Sequence, residues 1–137
     1  MRKNIVLDTN TLLSAALSEE SVSFKAYQKA GKNFWITLSH KTLEEIEKVL
    51  FRPKFDKYLD DFSKTFFLAA LKDNAIFIEP TETITDCRDP KDNKFLEIAV
   101  ASNAPFIITG DDDLLVLNPY RDINILKSGD FLVLELA

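Results

Sequence analysis

The chain has 137 residues, of which 46% are hydrophobic and 28% are charged, and this balance is typical of one globular domain, here residues 1–137. Its longest apolar runs are far shorter than the roughly 20 residues of a membrane helix, and no leader pattern is visible, so we expect a cytoplasmic protein. One cysteine and one histidine exclude an intramolecular disulfide, a cysteine-based zinc site and a histidine-rich metal site in this sequence. Any metal must be bound by oxygen.

The net charge is −5, with 22 acidic and 17 basic residues. Proteins that bind a phosphate backbone usually carry basic patches, so charge alone argues against a nucleic-acid partner. This objection weakens if several acids share one site, because bound divalent cations would neutralise them locally.

Strand and helix patterns alternate along the whole chain, without repeats or linkers. Helices are predicted over 11–17, 23–30 (ended by Gly31), 41–51 (capped by Ser39), 56–72 and 90–102. Short apolar strands are predicted over 4–7, 34–38, 75–78, 106–108 and 123–126, the last of these closing the sheet. Continuous apolar strands separated by helices predict a three-layer α/β/α fold with a central parallel sheet of about five strands.

Two of these strands end in carboxylates. The first strand runs into Asp8, and the 106–108 strand is followed by Thr109, Gly110 and the triplet 111–113, all aspartate. A single aspartate in this position is most simply the cap of the next helix. Two such strand ends in one short chain favour a ligand site, because open parallel sheets bind ligands beyond the carboxyl ends of their strands.

A third acidic segment opens the helix predicted over 90–102. Asp92 lies in line with Leu96 and Ala99 on the helical wheel, so it is predicted to face the core. The helix dipole favours carboxylates in a first turn and explains Asp89 well, but it does not explain the direction of Asp92.

The helix over 41–51 offers three further carboxylates. Glu44 falls on the polar face, where it can pair with Lys48, and Glu45 and Glu47 lie at opposite margins of the apolar stripe. The wheel alone does not choose between these two.

A cluster of acids from distant segments is a device for binding Mg²⁺ or Mn²⁺, which prefer carboxylate and water oxygens. Two carboxylates about 4 Å apart repel by roughly 4 kcal/mol at an effective dielectric of about 20, so such a cluster does not serve stability. A bound cation would offset the repulsion and activate water for phosphodiester cleavage.

In this order and spacing the motifs resemble those of a PIN domain. The resemblance covers nearly the whole chain. Within the PIN domains, the chain is most similar to the VapC-like toxin components of prokaryotic toxin–antitoxin pairs. The segments that carry it are Asp8-Thr9-Asn10, Ser39 to Leu50, Val49 to Phe55, Asp89-Pro90-Lys91-Asp92-Asn93, and Thr109 to Leu115.

The resemblance implies a Mg²⁺- or Mn²⁺-dependent endoribonuclease, often a homodimer, that a partner antitoxin holds silent. Carried over by position, the catalytic metal ligands would be Asp8, Glu45, Asp92 and Asp111. Asp113 would be a fifth acid, Asn10 and Thr109 would support the site, and Asp112 is left out. From their place beside Asp92, the cations Arg88, Lys91 and Lys94 are our candidates for binding the RNA backbone.

Two other functions fit part of the pattern. A haloacid-dehalogenase-like phosphatase also has an aspartate after its first strand, but it needs a second acid two positions later, where this chain has Asn10. A non-catalytic module that binds RNA or protein would keep the fold without turnover. Hydrolysis of a phosphomonoester would indicate the first, and RNA binding without cleavage would indicate the second.

Overall fold

The computed structural model describes residues 2–136 and has a central parallel sheet between two layers of helices. The strands are β1 Lys3–Leu7, β2 Phe34–Leu38, β3 Ala75–Phe77, β4 Phe106–Ile108 and β5 Asn124–Leu126. The α-helices are α1 Thr9–Leu17, α2 Val22–Asn33, α3 His40–Leu50, α4 Asp61–Asp73, α5 Asn93–Ser102, α6 Asp112–Leu115 and α7 Ser128–Val133. This confirms the predicted three-layer α/β/α class with five parallel strands.

The sheet has the order β3-β2-β1-β4-β5, so β1 lies at its centre. Ile5 is in register with Ile36 of β2, and Val6 is in register with Ile107 of β4. β1 therefore has a hydrogen-bonded neighbour on each side, and the residue that follows it, Asp8, lies in the middle of the carboxyl edge.

Successive side chains of the central strands enter opposite layers, as the alternation of a β-strand requires. Ile5 and Leu7 pack in one apolar cluster with residues of α1, α2, α3, α4 and α7, while Val6 packs in a second cluster with α5. Both faces of β1 are covered, which is why its sequence is continuously apolar.

Three helix boundaries differ from the sequence predictions. α2 continues through Gly31 to Asn33, because a glycine with ordinary helical angles weakens a helix without ending it. The helix predicted over 56–72 begins only at Asp61, where Asp60 accepts a hydrogen bond from the backbone of Ser63 at 2.7 Å, and a short 3₁₀ turn, Pro53–Phe55, precedes it.

The helix predicted over 90–102 is also divided. Its first residues, Pro90–Asp92, form a 3₁₀ turn, and α5 follows from Asn93. Asp92 therefore lies at the junction of two helical segments, which sets the direction of its side chain.

Two short helices were not predicted. α6 is a single turn that contains two residues of the aspartate triplet, and α7 follows β5. Phe131 of α7 is completely buried against Phe34 and Phe106, with ring centroids 6.1 and 5.9 Å away. These contacts, made across the fold, hold a six-residue helix that is too short to be stable by itself.

No helix within residues 2–136 is long and apolar enough to cross a membrane.

Candidate active site

Acidic side chains from four separate elements line one cavity at the carboxyl edge of the sheet. The cavity measures about 200 Å³. Its acids are Asp8 after β1, Glu45 of α3, Asp89 and Asp92 before α5, and Asp111 after β4. The four acids that the sequence assigned to the site are thus neighbours in space, although about a hundred residues separate the first from the last.

Asp8 is held rigidly at the centre of the site. It is 4% exposed, and its carboxylate accepts hydrogen bonds from the backbone of Thr11 at 2.9 Å and from the hydroxyl of Thr109. The first bond is the helix cap expected of an aspartate after a strand. The second joins Asp8 to the segment that follows β4. Asp8 therefore caps α1 and also belongs to the acidic cavity.

Asp111 is oriented by the same threonine. The Thr109 hydroxyl accepts the backbone N–H of Asp111 at 2.9 Å while it donates to Asp8, and the Asp111 carboxylate caps α6 by accepting from the backbone of Asp113 at 2.9 Å. Thr109 is completely buried and does not itself line the cavity. Its position is that of a supporting residue.

Glu45 reaches the cavity from the opposite wall. Its carboxylate accepts a hydrogen bond from the Thr9 hydroxyl and forms an ion pair with Lys94 at 2.7 Å. The other margin of the helix behaves differently, since Glu47 pairs with Lys72 of α4 at 3.3 Å. Of the two glutamates that the helical wheel left open, only Glu45 faces the cavity.

Asp92 has the most unfavourable surroundings of these acids. Its Oδ2 is buried and is without a hydrogen-bond partner among the described residues. Burial, a hydrogen bond with Asp111 that exists only when a proton is present, and the charges of Asp111, Asp89 and Asp8 raise the pKa of Asp92 to about 7. A buried carboxylate oxygen that nothing satisfies is an available ligand atom.

Burial also raises the pKa of Asp8, in opposition to its hydrogen bonds with Thr109 and Thr11, and the charge of Asp111 adds to the increase. Two neighbouring acids thus resist ionisation in the absence of a counter-ion, and each would be stabilised as a carboxylate by a cation in this cavity.

The donor set fits a hard divalent cation such as Mg²⁺ or Mn²⁺, because the carboxylate ligands are oxygens and one of them, Asp92 Oδ2, has no hydrogen-bond partner in the part of the chain that the structure describes. Across residues 2–136, no three Asp, Glu, His or Cys side chains are already gathered closely enough to form a ligand group. The Glu45 carboxylate is engaged by Lys94 and Thr9.

The remaining predicted residues fall in different places. Asn10 and Lys91 line the cavity. Asp113 does not line it, and its carboxylate pairs with Arg88 at 3.0 Å. Lys94, predicted to bind RNA, is instead turned inward onto Glu45.

Two charged residues of the cavity were missed from the sequence. Asp89 was interpreted only as a helix-end acid, but it lines the cavity and its charge raises the pKa of Asp92. Arg52 lies beyond the end of α3, where helical periodicity no longer locates a side chain, and it brings a positive charge to the rim. The signal for it was the segment Val49 to Phe55, which carries part of the family resemblance but was given no role in the site.

Comparison with known proteins shows the family to which this chain belongs. Residues 4–113 match the PIN domain family. "Uncharacterized protein MJ1680" from Methanocaldococcus jannaschii is 34% identical over 125 residues, which is 88% of this chain and 80% of the relative. The crystal structure of PAE2754 from Pyrobaculum aerophilum is similar in fold, with a TM-score of 0.63 and 15% identity over 96% of this chain and 88% of that one. The chain belongs to the PIN domain family, whose members are generally metal-dependent nucleases.

Proposed function

We propose that the protein is an endoribonuclease that depends on Mg²⁺ or Mn²⁺ and cleaves RNA phosphodiester bonds at its acidic cavity. The observation that carries the proposal is the convergence of Asp8, Glu45, Asp92 and Asp111 on one cavity, where a buried oxygen of Asp92 has no hydrogen-bond partner among residues 2–136. Such an arrangement costs stability in the empty protein, and catalysis with a bound cation gives it a purpose.

The four acids would hold one or two cations. When bound, such an ion supplies Lewis-acid polarisation of the phosphodiester and activation of the attacking water. Asp92 would hold such an ion as a carboxylate, so its pKa, about 7 without a cation, would fall when the ion is bound.

The other residues of the cavity orient these acids and balance the charge of the substrate. Thr109 fixes Asp8 and positions the backbone of Asp111 through one hydroxyl, and Thr9 fixes one oxygen of Glu45. Lys91 and Arg52 bring positive charge to a rim that a phosphate must pass. No covalent nucleophile is required.

The proposal is tested with purified protein, a labelled single-stranded RNA and added Mn²⁺ or Mg²⁺. Asp8→Asn and Asp92→Asn should abolish the cleavage that EDTA suppresses, and Asp112→Asn is the matched control because Asp112 is exposed and outside the cavity. Circular dichroism and thermal melting verify that each variant is folded. Undiminished cleavage by pure Asp8→Asn protein would refute the assignment.

The same experiment separates the two other functions. RNA binding without metal-stimulated cleavage would indicate a non-catalytic module. Hydrolysis of 4-nitrophenyl phosphate, a phosphomonoester, would indicate a phosphatase, and the proposed nuclease should leave it intact.

We also propose, from the resemblance to toxin components, that an antitoxin inhibits the protein and that it forms a homodimer. An apolar groove of about 580 Å³ lies between α1, α2 and α4, and Phe62 and Phe66 are 79% and 68% exposed there. We propose that the antitoxin covers this groove. Expression should arrest growth, and co-expression of a small protein from a neighbouring reading frame should restore it. Arrest that persists with Asp8→Asn would show that growth inhibition does not come from the nuclease.

A further inference from the structure

A second and larger cavity adjoins the acidic one along the carboxyl edge of the sheet. It measures about 430 Å³. Its lining consists of Asn10, Thr11, Ser14, Ser23, Gly110, Asp111, Lys127, Ser128 and Gly129. Asn10 and Asp111 belong to both cavities, so the two adjoin at these residues, and the second cavity extends to the segment between β5 and α7.

The sizes of the two cavities suit different parts of an RNA substrate. Ligand pockets commonly run from about 300 to 1,000 Å³, and the acidic cavity falls below that range. It accommodates a phosphodiester group with its cations, but the nucleotide beside that group must lie elsewhere. The adjoining cavity has the size for it.

The lining of the second cavity suits a sugar and a phosphate. Asn10 and Ser14 are exposed and one turn apart on α1, whereas most of that helix is buried. The helix therefore presents an amide and a hydroxyl to the second cavity. Hydroxyls and amides both donate and accept hydrogen bonds. None of the described lining residues is aromatic, and the cavity therefore lacks the stacking platform that would hold a base.

Lys127 supplies the positive charge of this cavity. It is exposed just before α7, and within residues 2–136 it takes part in no ion pair. Its ammonium is therefore available to a phosphate, in contrast to Lys94, which is paired with Glu45.

We infer that the second cavity is a subsite for the sugar–phosphate backbone of the nucleotide next to the scissile bond, with Lys127 contacting its phosphate. The inference rests on the proposed function, because it takes the acidic cavity to be the place of cleavage. It assigns the RNA strand a direction of passage from the acidic cavity across Asn10 and Asp111 to Lys127.

The charge of the subsite is tested with Lys127→Met, and Lys32→Met, at another exposed lysine, is the matched control. Binding of a short fluorescein-labelled single-stranded RNA is measured by anisotropy in EDTA, where cleavage is suppressed. Loss of one phosphate contact should weaken binding about fivefold at 0.1 M salt and lower the salt slope by about 0.7. Lys32→Met should change neither.

The space of the subsite is tested with Gly129→Leu. A side chain added at Gly129 meets no atom within 4 Å of its first carbon, and Gly129 lines the second cavity, so we expect a leucine there to narrow this cavity without disturbing the protein interior. Gly31→Leu is the matched control, since Gly31 is also helical and equally free of neighbours but lies outside the cavity. Both variants should fold, because leucine is the better helix former. Only Gly129→Leu should weaken RNA binding.

The cleavage assay distinguishes this inference from the proposed function. In it, both subsite variants should raise KM and leave kcat unchanged, because neither replaces one of the four acids. If Lys127→Met and Gly129→Leu bind RNA as tightly as their control variants do, the subsite is overturned, even if the wild type cleaves RNA. Weaker binding by these two variants together with no cleavage by the wild type rejects the nuclease and the subsite's place beside a scissile bond, and supports only the binding of an RNA backbone in the second cavity.

Discussion

Replacement of Asp92 by asparagine should stabilise the empty protein at alkaline pH while it abolishes activity. Burial and the surrounding acids raise the pKa of Asp92 from 3.8 to about 7, whereas in the unfolded chain the group has its ordinary value. Between these values the folded state holds a proton that the unfolded state has lost. The stabilisation from this proton is fully present below about pH 4 and is lost as the pH rises through about 7.

The size of the effect follows from the shift. Each pKa unit corresponds to about 1.4 kcal/mol, so the shift sets an upper bound of about 4 kcal/mol. Part of the Asp92 side chain is open to solvent, which screens the neighbouring charges, and we expect about half of that bound, or about 2 kcal/mol. Asparagine is neutral at every pH and keeps an N–H that can donate to Asp111, so it avoids the loss.

The assay is thermal and urea unfolding of metal-free wild type and Asp92→Asn at several pH values from 4 to 8. The two proteins should be nearly equal in stability at the acidic end, and the variant should melt about 6 °C higher at the alkaline end. Mn²⁺ should narrow the difference by stabilising the wild type alone. Asp112→Asn, at an exposed acid, is the control for the general effect of removing one negative charge.

A variant that is less stable than the wild type at pH 8 would refute this reasoning. So would a wild type whose advantage over the variant grows as the pH rises, because the sign of the linkage would then be reversed.

Three further predictions concern the site and its support. Affinity for Mn²⁺, measured by calorimetry, should fall as the pH is lowered through about 7, because Asp8 and Asp92 have raised pKa values and must ionise to bind a cation; a flat profile would contradict this. Thr109→Val removes a hydrogen bond to a buried carboxylate, so it should destabilise the fold by about 2 kcal/mol in urea unfolding and lower the cleavage rate at least about tenfold. Thr109→Ser keeps the hydroxyl and should restore both the stability and the cleavage rate. Asp56 is the ion-pair partner of the completely buried Lys64, at 2.7 Å, so Asp56→Asn should lower the stability by about 2 kcal/mol in thermal unfolding. Lys64→Met, which removes the buried charge itself, should be nearly neutral. Equal losses in the two variants would show that the ion pair itself stabilises the fold.

The layered fold was predictable because its signals are local. Continuous apolar strands such as residues 106–108 appear in the sequence at the places where the structure has them, and their separation by helices implies parallel pairing. The boundaries that failed depend on other parts of the chain. Gly31 continues its helix because α2 packs on both α1 and β1, and α7 exists because Phe131 fills a space between two strands.

The acids at the strand ends were predictable for a similar reason. A parallel sheet brings the carboxyl ends of its strands to one edge, so Asp8 and Asp111 had to be neighbours once β1 and β4 were paired. The helical wheel also anticipated that Asp92 turns inward, although the residue lies at the end of a 3₁₀ turn and not within a regular helix.

The sequence by itself determined the layer architecture, the edge of the sheet where the acids lie and the oxygen-only character of any metal site. It could do so because strand periodicity and residue chemistry are properties of short segments. The tertiary structure decided which margin of α3 faces that edge, brought Arg52 and Asp89 to the same cavity, and placed beside it the second cavity, which Lys127 lines. These depend on how separate segments pack together, which residue spacing does not specify.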